Sequence, residues 1–512
     1  MNTIGSKFDV DNVSLDDPKT WDLLQSGYTN GVFQCESKLV QSWLRRIKPK
    51  NLWELSALIS LVRPGPLASG FADQYLFNKD NPDSIQKMGH PIVDEILSST
   101  NFVCVYQEGL IQLGLRVAWS HLPENERLIK ADNLRKAVGK KNQEKILEIG
   151  REFVDGCLHN NVDKELSDKL FDLIKKSGRY AFNLSHSMTY AYLAYKTAYI
   201  KCHAPLQFLA VYLSYAKFKL DKWEEIFKLI SEAKVFGLEV IGPDFNSKNE
   251  EFMIVDGKIQ YGLSSIKYVS SKSARQISMI NDKITNLTDF IKLAFTDSFG
   301  CKFRSTTIEA LIVTGAFKDI KLSRHSLLNL YKFLSELNDK QILDVLDQMD
   351  IHGNISEAIK YTINKTKLHK AREKLETYLA FLDLNAYDDP AWIGNMEKAH
   401  LGIQITSSSL DKKDTTTLDK CINCNEEAPL YSKLKVGVII DELRLTKTKK
   451  GANPGQDMAI IKVHDDSAEI SSLPIFPDLY EQVCQFLMEN NTVLLELNKG
   501  KTGWTIQNLE QL

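Results

Sequence analysis

Residues 131–141 read ADNLRKAVGKK and place four cations close together in the chain. On a helix, Arg135, Lys136, Lys140 and Lys141 crowd toward one side, with a small apolar face between them and a glycine that interrupts or caps the helix. Like charges at this spacing repel each other. An anion with several charges, such as a triphosphate or a nucleic-acid backbone, is therefore a natural partner. The alternative is a solvated helix face.

A second segment, residues 179–187, reads RYAFNLSHS and gathers hydrogen-bonding side chains before a long apolar helix. Asn183, Ser185, His186 and Ser187 lie in this segment, and either serine is a suitable N-cap. Backbone N–H groups at a helix start also point at anions. The two segments together therefore favour an anion-binding site.

Length and composition set broad limits on the protein. The chain has 512 residues, a net charge of −2 and eight cysteines. The length indicates about three or four domains. The overall charge does not suggest a nucleic-acid protein, but local clusters of cations decide binding. Isolated cysteines and the lack of a leader or a long apolar run predict a cytoplasmic protein without a membrane span.

These segments belong to a collinear series of motifs. The series reads LDDPKTWDLL, GVFQCES, LVRPGP, VYQEG, LRKAVGKK, FNLSHS, AYLAYKTAYIKCHAP, YGLSSIK, LIVTGAF and KVGVIIDELRLTKTKKG. It resembles the α subunits of bacterial replicative DNA polymerases of the DNA polymerase III, or C-family, type. The resemblance implies a multidomain chain with mainly α fingers and helix-hairpin-helix regions, followed by an all-β OB-fold.

The expected domains follow that order along the chain. They are an N-terminal segment left from the palm–fingers junction (1–30), fingers (31–235), a helix-hairpin-helix-like region (236–330), a helical region with a linker (331–430) and an OB-fold (431–512). The family's palm, with its Pro-Asp-x-Asp-x-Asp-Phe strand, is absent from this sequence. A missing palm after an N-terminal methionine favours a split gene, for example one carried by a phage.

No complete catalytic set is expected in this chain. Asp9 and Asp11 form an Asp-x-Asp pair, which two-metal nucleotidyl transfer needs. However, Asp9 lies only six residues before Leu15, and the helix that separates the equivalent family motifs is absent. The resemblance therefore implies that Mg²⁺ is held mainly by a palm on another chain.

The resemblance assigns nucleotide contacts to residues that match family motifs. They are Arg63, Gln107, Arg135, Lys136, Lys140, Lys141, Asn183, Ser185 and His186. Two positions depart from the family: Lys136 replaces the second arginine of Leu-Arg-Arg, and Leu184 replaces the lysine of Asn-Lys-Ser-His. Lysine keeps the charge but loses the bidentate fork of arginine. Gln107 either contacts a base or sugar, or caps a helix.

Several elements are predicted from local pattern. Residues 102–106 resemble a short strand, and residues 38–47, 52–62 and about 323–385 resemble helices. Tyr192, Tyr195 and Tyr199 form a stripe suited to packing more than to stacking on bases. The family's helix-hairpin-helix needs glycines near phosphates. This chain has Tyr268 and Ser270 at these positions. Two interpretations therefore stay open: the motif keeps its fold without binding DNA, or it keeps its fold and binds DNA.

The C-terminal region alternates as short strands do. Strands are predicted at 434–440, 458–464, 468–474, 493–497 and 503–507, with a helix at 479–488. This pattern matches an OB-fold, which binds single-stranded nucleic acid. Its candidate contacts are Arg444, Lys447, Lys449 and Lys450. Phe476 is expected in the core, with a stacking surface for bases as the alternative. Cys421 and Cys424 have zinc-like spacing but lack a second pair, so no metal site is predicted.

The sequence therefore predicts the C-terminal part of a split replicative DNA polymerase, inactive alone. The expected partners are a palm-bearing chain, primer–template DNA and deoxynucleoside triphosphates. A sliding clamp is a further candidate, through residues 348–351, although a helix-surface glutamine explains that segment better. The alternative function is a non-catalytic nucleic-acid-binding polymerase remnant or scaffold. The expected location is the cytoplasm of a bacterium or of an infected bacterial host.

Overall fold

The computed structural model describes most of the chain. The described residues are 9, 12–139, 143–177, 180–366, 369–380, 382–408, 410, 413–424, 428–448, 454–465, 467–501 and 503–512. Asp11, Lys140, Lys141, Lys449 and Lys450 lie outside them. The chain divides into two compact units, Met1–Ala204 and Pro205–Leu512. The finer domain boundaries expected from the sequence stay predictions.

The first unit is built from helices. They are α1 Pro18–Ser26, α2 Lys38–Ile47, α3 Leu52–Leu61, α4 Pro64–Ala68, α5 Phe71–Asp80, α6 Pro91–Ser98, α7 Gln107–Leu113, α8 Glu124–Gly139, α9 Gln143–His159, α10 Lys164–Ser177 and α11 Leu184–His203, with a 3₁₀ turn at Pro82–Ser84 and a π-helical turn at Gly114–Ala118. The predicted helices at 38–47 and 52–62 are confirmed as α2 and α3. Gly139 is the last described residue of α8, and residues 140–142, which follow it, lie outside the described residues.

The strand predicted at residues 102–106 is wrong. Asn101 and Phe102 adopt positive φ angles of 51° and 59°, which no strand accommodates. Only Tyr106 pairs, in a single parallel bridge with Phe182. The apolar run FVCVY forms a turn and an extended connection. It does not form a strand, because its backbone pairs with a single residue, Phe182, and not with a partner strand.

A buried hydroxyl network joins α3 to α11. Ser187 Oγ lies 2.8 Å from Ser56 Oγ and 2.7 Å from Ser60 Oγ, and it donates to the Ser56 carbonyl. The Tyr106 hydroxyl donates to Ser56 Oγ at 2.9 Å, and burial raises the pKa of Tyr106 to about 12. On the same helix, Tyr195 is fully buried against Trp21, which agrees with a packing role for this residue of the tyrosine stripe.

The second unit begins with helices and a small sheet. Its helices are α12 Pro205–Ala216, α13 Lys222–Val235, α14 Ser271–Met279, α15 Leu287–Phe295, α16 Ser305–Val313, α17 Arg324–Leu334, α18 Asp339–His352, α19 Ile355–Lys365, α20 His369–Ala380 and α21 Pro390–Leu401. The strands β1 Val240–Ile241, β2 Met253–Val255 and β3 Lys258–Gln260 pair in the order β1-β3-β2. Asp256 and Gly257, both at positive φ, form the turn between β2 and β3.

The loop between β3 and α14 contains a strained residue. Tyr268 adopts a φ of 70°, a left-handed conformation that favours glycine, and its side chain is 56% exposed. Ser270 caps α14, since its Oγ accepts the N–H of Ser273 at 3.1 Å. Gly262 opens this loop, and a Cβ there would lie 2.5 Å from a backbone carbon of Glu251. Glycine is therefore required at 262.

The C-terminal part of the second unit is a five-stranded antiparallel sheet. Its strands are β4 Lys433–Lys447, β5 Asp457–His464, β6 Glu469–Ile475, β7 Thr492–Gly500 and β8 Gly503–Gln511, in the order β6-β5-β4-β7-β8. A bulge between Ile440 and Glu442 shifts the register of β4 against β5 and turns Asp441 inward. The predicted strands are confirmed, although β4 continues past the predicted end at residue 440.

Helix α22, Pro477–Val483, lies between β6 and β7 and packs on β5 and β8. The Cα atoms of the edge strands β6 and β8 approach within 8 Å. Strand order, bulge and helix position are consistent with an OB-fold. Phe476 is 51% exposed, so the expectation that it packs in the core is wrong; it precedes α22 at the point where β6 has left the sheet. No helix among the described residues is long and apolar enough to cross a membrane.

Candidate nucleotide and nucleic-acid site

The backbone of Phe182 is the centre of the site in the first unit. Its N–H donates to the Val105 carbonyl at 2.9 Å, and its carbonyl accepts the N–H of Gln107 at 2.8 Å. The Gln107 side chain donates to the Ala181 carbonyl at 3.2 Å. These bonds fix the start of α7 against the start of α11. Gln107 is the first residue of α7 after the N-cap Tyr106, and its side-chain amide crosses to the neighbouring segment instead of capping the helix.

Arg63 lies over the ring of Phe182. Its guanidinium carbon is 4.3 Å from the ring centroid, and the side chain donates to the carbonyls of Ser60 at 2.7 Å and Tyr180 at 3.0 Å. Burial lowers the pKa of Arg63. Residue 63 precedes α4, whose first residue is Pro64, and follows α3, which ends at Leu61, so the arginine is held between two helices.

Arg135 is linked to Phe182 indirectly, because it contacts the side chain of Gln107. Its Nη1 lies 3.4 Å from Gln107 Oε1, and its Nη2 binds Asp132 Oδ1 at 2.8 Å. Lys136 binds the other oxygen of Asp132 at 2.6 Å. The bonds from Lys136 and Arg135 lower the pKa of Asp132. The cations therefore have an internal partner, which the interpretation of residues 131–141 overlooked although Asp132 stands in that segment.

The start of α11 also differs from expectation. The N-cap is Asn183, whose Oδ1 accepts the N–H of His186 at 2.8 Å, so neither Ser185 nor Ser187 is the cap. Ser185 is exposed and donates to Asn183 Oδ1, whereas the buried network holds Ser187. Asparagine caps a helix as well as serine does. Ser187 is not the cap because its hydroxyl is engaged in the buried network.

Glu108 occupies the anion position at this helix start. Its two carboxylate oxygens accept the N–H of Leu184 at 2.9 Å and the amide of Asn183 at 3.0 Å. The positive end of a 20-residue helix favours such a carboxylate. Sequence reasoning missed Glu108, although it lies in the quoted VYQEG motif at the first turn of α7. The backbone amides at residues 184 and 186 are therefore already bonded.

A row of rings runs along α11 from the centre of the site. The ring of His186 lies 5.4 Å from Phe182 and 4.2 Å from Tyr190, and Phe33 lies 5.1 Å from Tyr190. The spacing of four residues places His186 and Tyr190 on one face of α11, and Phe182 and Phe33 contact this pair from outside the helix. The structure thus brings Arg63, Gln107, Arg135, Asn183 and His186 together around Phe182, whereas Ser185 lies at the edge.

The described residues do not fit Mg²⁺. Asp9 is exposed and accepts a hydrogen bond from Asn12 at 2.7 Å, and Asp11 lies outside the described residues. In the described part of the chain, the ligand atoms of Asp17, Cys202 and His203 lie within 4.8 Å of one another. Magnesium prefers oxygen ligands, so a thiol and an imidazole suit it poorly. We derive no catalytic step through a metal in this chain.

The candidate nucleic-acid contacts of the C-terminal sheet lie at one end of β4 and β5. Arg444 is exposed and pairs in register with Ile460, and Lys447 is 3.0 Å from Asp457. Lys447 thus shares its charge with a carboxylate on the neighbouring strand. Lys449 and Lys450 follow in the connection to β5, outside the described residues.

Comparisons with known proteins agree with this architecture. Residues 1–161 match the family model of the bacterial DNA polymerase III alpha subunit finger domain, and residues 237–327 match a helix-hairpin-helix motif. DNA polymerase III subunit alpha of Aquifex aeolicus is 30% identical over 488 residues, which cover 94% of this chain and 37% of the relative. The Escherichia coli protein of the same name is 32% identical over 356 residues, covering 68% of this chain and 30% of the relative.

The Bacillus subtilis protein of the same name is 29% identical and covers 94% of this chain and 40% of its own length. The chain thus spans less than half the length of these curated relatives. A helical finger region, a helix-hairpin-helix and an OB-like sheet define the class as a bacterial replicative polymerase region. Within that class, the chain corresponds to a C-terminal-type region of the DNA polymerase III α subunit, which confirms the resemblance.

Proposed function

We propose that this chain is the C-terminal part of a split replicative DNA polymerase α subunit. It contributes incoming-nucleotide and template–primer contacts to DNA-templated DNA synthesis. The observation that carries the proposal is the convergence of Arg63, Gln107 and His186 on Phe182, with Arg135 bonded to Gln107. The finger-domain match, residues 1–161, includes Arg63, Gln107 and Arg135, whereas Phe182 and His186 lie after it.

The proposed chemistry is electrostatic. Pyrophosphate leaves as a multiply charged anion, and guanidinium groups neutralise that charge without entering the bond-making step. In this proposal Arg135 and Lys136 bind the phosphates, and Lys140 and Lys141, which follow them in the sequence, are further candidates for phosphate contacts. Arg63 keeps Phe182 in place, while the groups that surround it, namely Gln107, Asn183, Ser185 and His186, contact the sugar or base.

The catalytic carboxylates and Mg²⁺ belong to a palm-bearing chain in this proposal. The motif Pro-Asp-x-Asp-x-Asp-Phe does not occur in the sequence, and the three-residue ligand cluster of the described residues, Asp17, Cys202 and His203, suits Mg²⁺ poorly. The chain is then inactive alone and works in a bacterial cytoplasm or an infected host. A sliding clamp is a further partner; residues 348–351, its candidate peptide, lie within helix α18.

The C-terminal sheet adds contacts to single-stranded template. Arg444 and Lys447 supply positive charge at one end of β4, and Phe476 offers an exposed ring. Lys449 and Lys450, which follow Lys447 in the sequence, are proposed as further phosphate contacts. Neutralising the three lysines in the full chain should lower the salt slope of single-stranded DNA binding by about two, since each phosphate contributes about 0.7. An unchanged slope would remove these residues from the interface.

One observation favours a second function, a non-catalytic DNA-binding remnant or scaffold. Asp132 pairs with both Arg135 and Lys136, and Glu108 occupies the start of α11 where an anion would bind. A remnant has no need to release these carboxylates. The genome discriminates the two functions: a frame encoding the palm motif favours the split polymerase, and its absence favours the remnant.

Single-nucleotide incorporation tests the proposal. The chain is combined with the palm-bearing polypeptide encoded in the same genome, and kcat/KM for a nucleotide is measured with Arg135→Ala. A charge-assisted phosphate contact is worth about 1.5–3 kcal/mol, so we expect a loss of about ten- to a hundredfold. DNA affinity, measured separately, should change far less. Equal loss of both quantities, or synthesis by this chain alone, contradicts the assignment.

A further inference from the structure

Three side chains with different ligand chemistry converge where the end of α11 packs beside α1. They are Asp17, the N-cap of α1, and Cys202 and His203, the last two residues of α11. Each offers one ligand atom, namely a carboxylate oxygen, the thiol sulfur or an imidazole nitrogen, and these three atoms lie within 4.8 Å of one another. All three residues belong to the first compact unit.

The cluster is partly shielded from solvent. The side chains of Asp17 and His203 are 18% and 25% exposed, and Cys202 is half-buried. His203 Nε2 lies 2.8 Å from Asp17 Oδ2, so the imidazole and the carboxylate already face each other. A carboxylate, a thiolate and an imidazole at one place are the three ligand types that zinc uses in proteins.

The hydrogen bonds of Asp17 leave one of its oxygens for a metal. Oδ2 accepts the backbone N–H of Thr20 at 2.9 Å and the Thr20 hydroxyl at 2.6 Å, and it also faces His203. In the part of the chain that the structure describes, no hydrogen bond reaches Oδ1. The carboxylate can therefore cap α1 through one oxygen and bind a metal through the other.

Neighbouring groups hold the three ligands in place, as outer-shell partners do in metal sites. The two bonds from Thr20 orient the carboxylate of Asp17. The Tyr195 hydroxyl accepts the backbone N–H of Asp17 at 3.2 Å, which fixes this residue against α11. The ring of Tyr199 lies 4.4 Å from the ring of His203. The ligands are thus supported from both helices.

The donor set selects the class of metal. Magnesium and calcium prefer oxygen ligands, whereas Zn²⁺ binds sulfur, nitrogen and oxygen at about 2.0–2.3 Å. A tetrahedral zinc site then separates its ligand atoms by about 3.5 Å. The separations here are 2.8 Å for one pair and at most 4.8 Å for the others, so small side-chain rotations suffice. The C-terminal end of a 20-residue helix also favours a cation.

We propose that Asp17, Cys202 and His203 bind one Zn²⁺ ion, which joins the start of α1 to the end of α11. The thiol binds as a thiolate, and its proton is released to solvent. Water completes the tetrahedral coordination, because the chain supplies three ligands. A metal that binds only the folded chain stabilises it, so the ion acts as a clip within the first unit. The site takes no part in the proposed nucleotide contacts around Phe182.

Metal binding by the full chain tests the proposal. The chain is stripped with a chelator, dialysed and titrated with Co²⁺, whose charge-transfer absorption with a thiolate reports a cobalt–sulfur bond. We expect this band to saturate at one Co²⁺ per chain. Zn²⁺ should remove the band by displacing cobalt, and millimolar Mg²⁺ should not, because thiolate and imidazole ligands select transition metals.

Two variants remove a ligand and keep the local structure. Asp17→Asn preserves the N-cap, since asparagine caps as well as aspartate, and Cys202→Ala removes only the thiol. Each should lower the zinc affinity by about a hundredfold or more, since loss of an outer-shell partner already costs 10–100-fold. In Cys202→Ala the cobalt–thiolate band should vanish. The matched controls are Cys484→Ala, at an exposed cysteine, and Cys424→Ala, which breaks the only close cysteine pair in the sequence; both should keep the band.

Thermal unfolding distinguishes a metal ligand from a residue that only packs. Each protein is compared with itself, in excess chelator and in Zn²⁺, so that any intrinsic effect of the substitution cancels. Zn²⁺ should raise the unfolding temperature of the wild type by several degrees and that of Cys202→Ala by none. Thr20→Val, which removes an outer-shell hydroxyl, should weaken zinc binding about tenfold and keep the cobalt–thiolate band.

Three outcomes overturn the site. They are the absence of a cobalt–thiolate band in the wild type, a band that persists in Cys202→Ala or vanishes in Cys424→Ala, and an equal effect of Zn²⁺ on the unfolding temperatures of wild type and Cys202→Ala. Displacement of the metal by Mg²⁺ would likewise contradict the donor set. None of these measurements requires DNA or a nucleotide, so they are independent of the proposed function.

Discussion

Asp132 holds Arg135 through one carboxylate oxygen, with Nη2 at 2.8 Å and Nε at 3.0 Å. The guanidinium is thus oriented by a residue three positions earlier on the same helix. Asp132 is about 41% exposed, so the pair is partly open to solvent. A triphosphate that binds Arg135 must compete with this carboxylate.

The competition predicts the effect of Asp132→Asn. In the reconstituted polymerase, the amide removes a negative charge beside the phosphates, and the apparent affinity for nucleotide should rise about three- to tenfold. Single-nucleotide incorporation measures it. The matched control is Asp172→Asn, which breaks the comparable exposed pair with Lys175 on α10 and should have no effect. A fall in affinity would instead assign Asp132 the role of positioning Arg135.

Ser187→Ala should weaken the contact between α3 and α11. The substitution removes the buried hydroxyl that links Ser56 and Ser60. The hydroxyls of these two serines then each lose one hydrogen-bond partner. We expect a loss of about 1–3 kcal/mol in the local unfolding free energy, measured by hydrogen exchange of α11 amides. Ser185→Ala, on the exposed side of the same helix, should change it by less than about 0.5 kcal/mol. Similar effects of the two substitutions would contradict the network.

Asp441→Asn should destabilise the junction between α21 and the C-terminal sheet. Asp441 is buried, binds His464 Nδ1 at 2.6 Å and also binds Lys398. Burial alone would raise the pKa of Asp441, but His464 and Lys398 outweigh it, so the pKa is lowered. Above pH 5 the loss should be about 2–3 kcal/mol by hydrogen exchange of β4 amides.

The same pair gives a pH dependence with a defined sign. A lowered carboxyl pKa in the folded state contributes stability above the unfolded value of about 3.9, and this contribution is lost as the pH falls through the folded value. The difference between wild type and Asp441→Asn should therefore shrink below about pH 4. The exposed pair of Lys447 and Asp457 supplies the control, Asp457→Asn, which should cost less than about 1 kcal/mol. A difference that stays constant down to pH 2 would contradict the ion pair.

Gly262→Ala should disrupt the loop that leads to Tyr268. The added Cβ would lie 2.5–2.8 Å from backbone atoms of Glu251 and Phe252, which cannot move as a side-chain end does. Overpacking of this kind costs about 1–3 kcal/mol, measured by thermal unfolding of the full chain. Gly242→Ala is the control, because its nearest contact is a Thr406 methyl at 3.6 Å. Equal stability of the two variants would show that the segment 251–252 adjusts.

The sequence predicts the elements better than it predicts their partners. Helices and C-terminal strands follow from local periodicity, turn residues and caps, all of which are visible within about ten residues. The run FVCVY failed as a strand because strand formation needs a partner strand, and residue 106 finds only Phe182. Strand β4 was predicted too short because the bulge at Asp441 breaks the alternation.

Partners of the site residues were harder to predict for a physical reason. Glu108 bonds to residue 184, and Arg135 to residue 107, so the contacts depend on tertiary packing and not on local pattern. The motif resemblance selected Arg63, Gln107, Arg135, Asn183 and His186, which do meet around Phe182. The resemblance could not reveal that two carboxylates, Asp132 and Glu108, already contact the groups expected to bind an anion. Asp132 lies only three residues before Arg135, so this pairing could have been predicted from the sequence.

The bulge at Asp441 has a consequence for the order in which the second unit folds. Strand β4 can pair with β5 in its native register only with Asp441 turned inward, and that carboxylate then needs Lys398 from α21. If the sheet formed before α21 docks, the charged Asp441 would be buried without Lys398. Assembly of the sheet and docking of the helix are therefore a single cooperative event. In pulse-labelling hydrogen exchange, the amides of β4 and α21 should gain protection in the same kinetic phase.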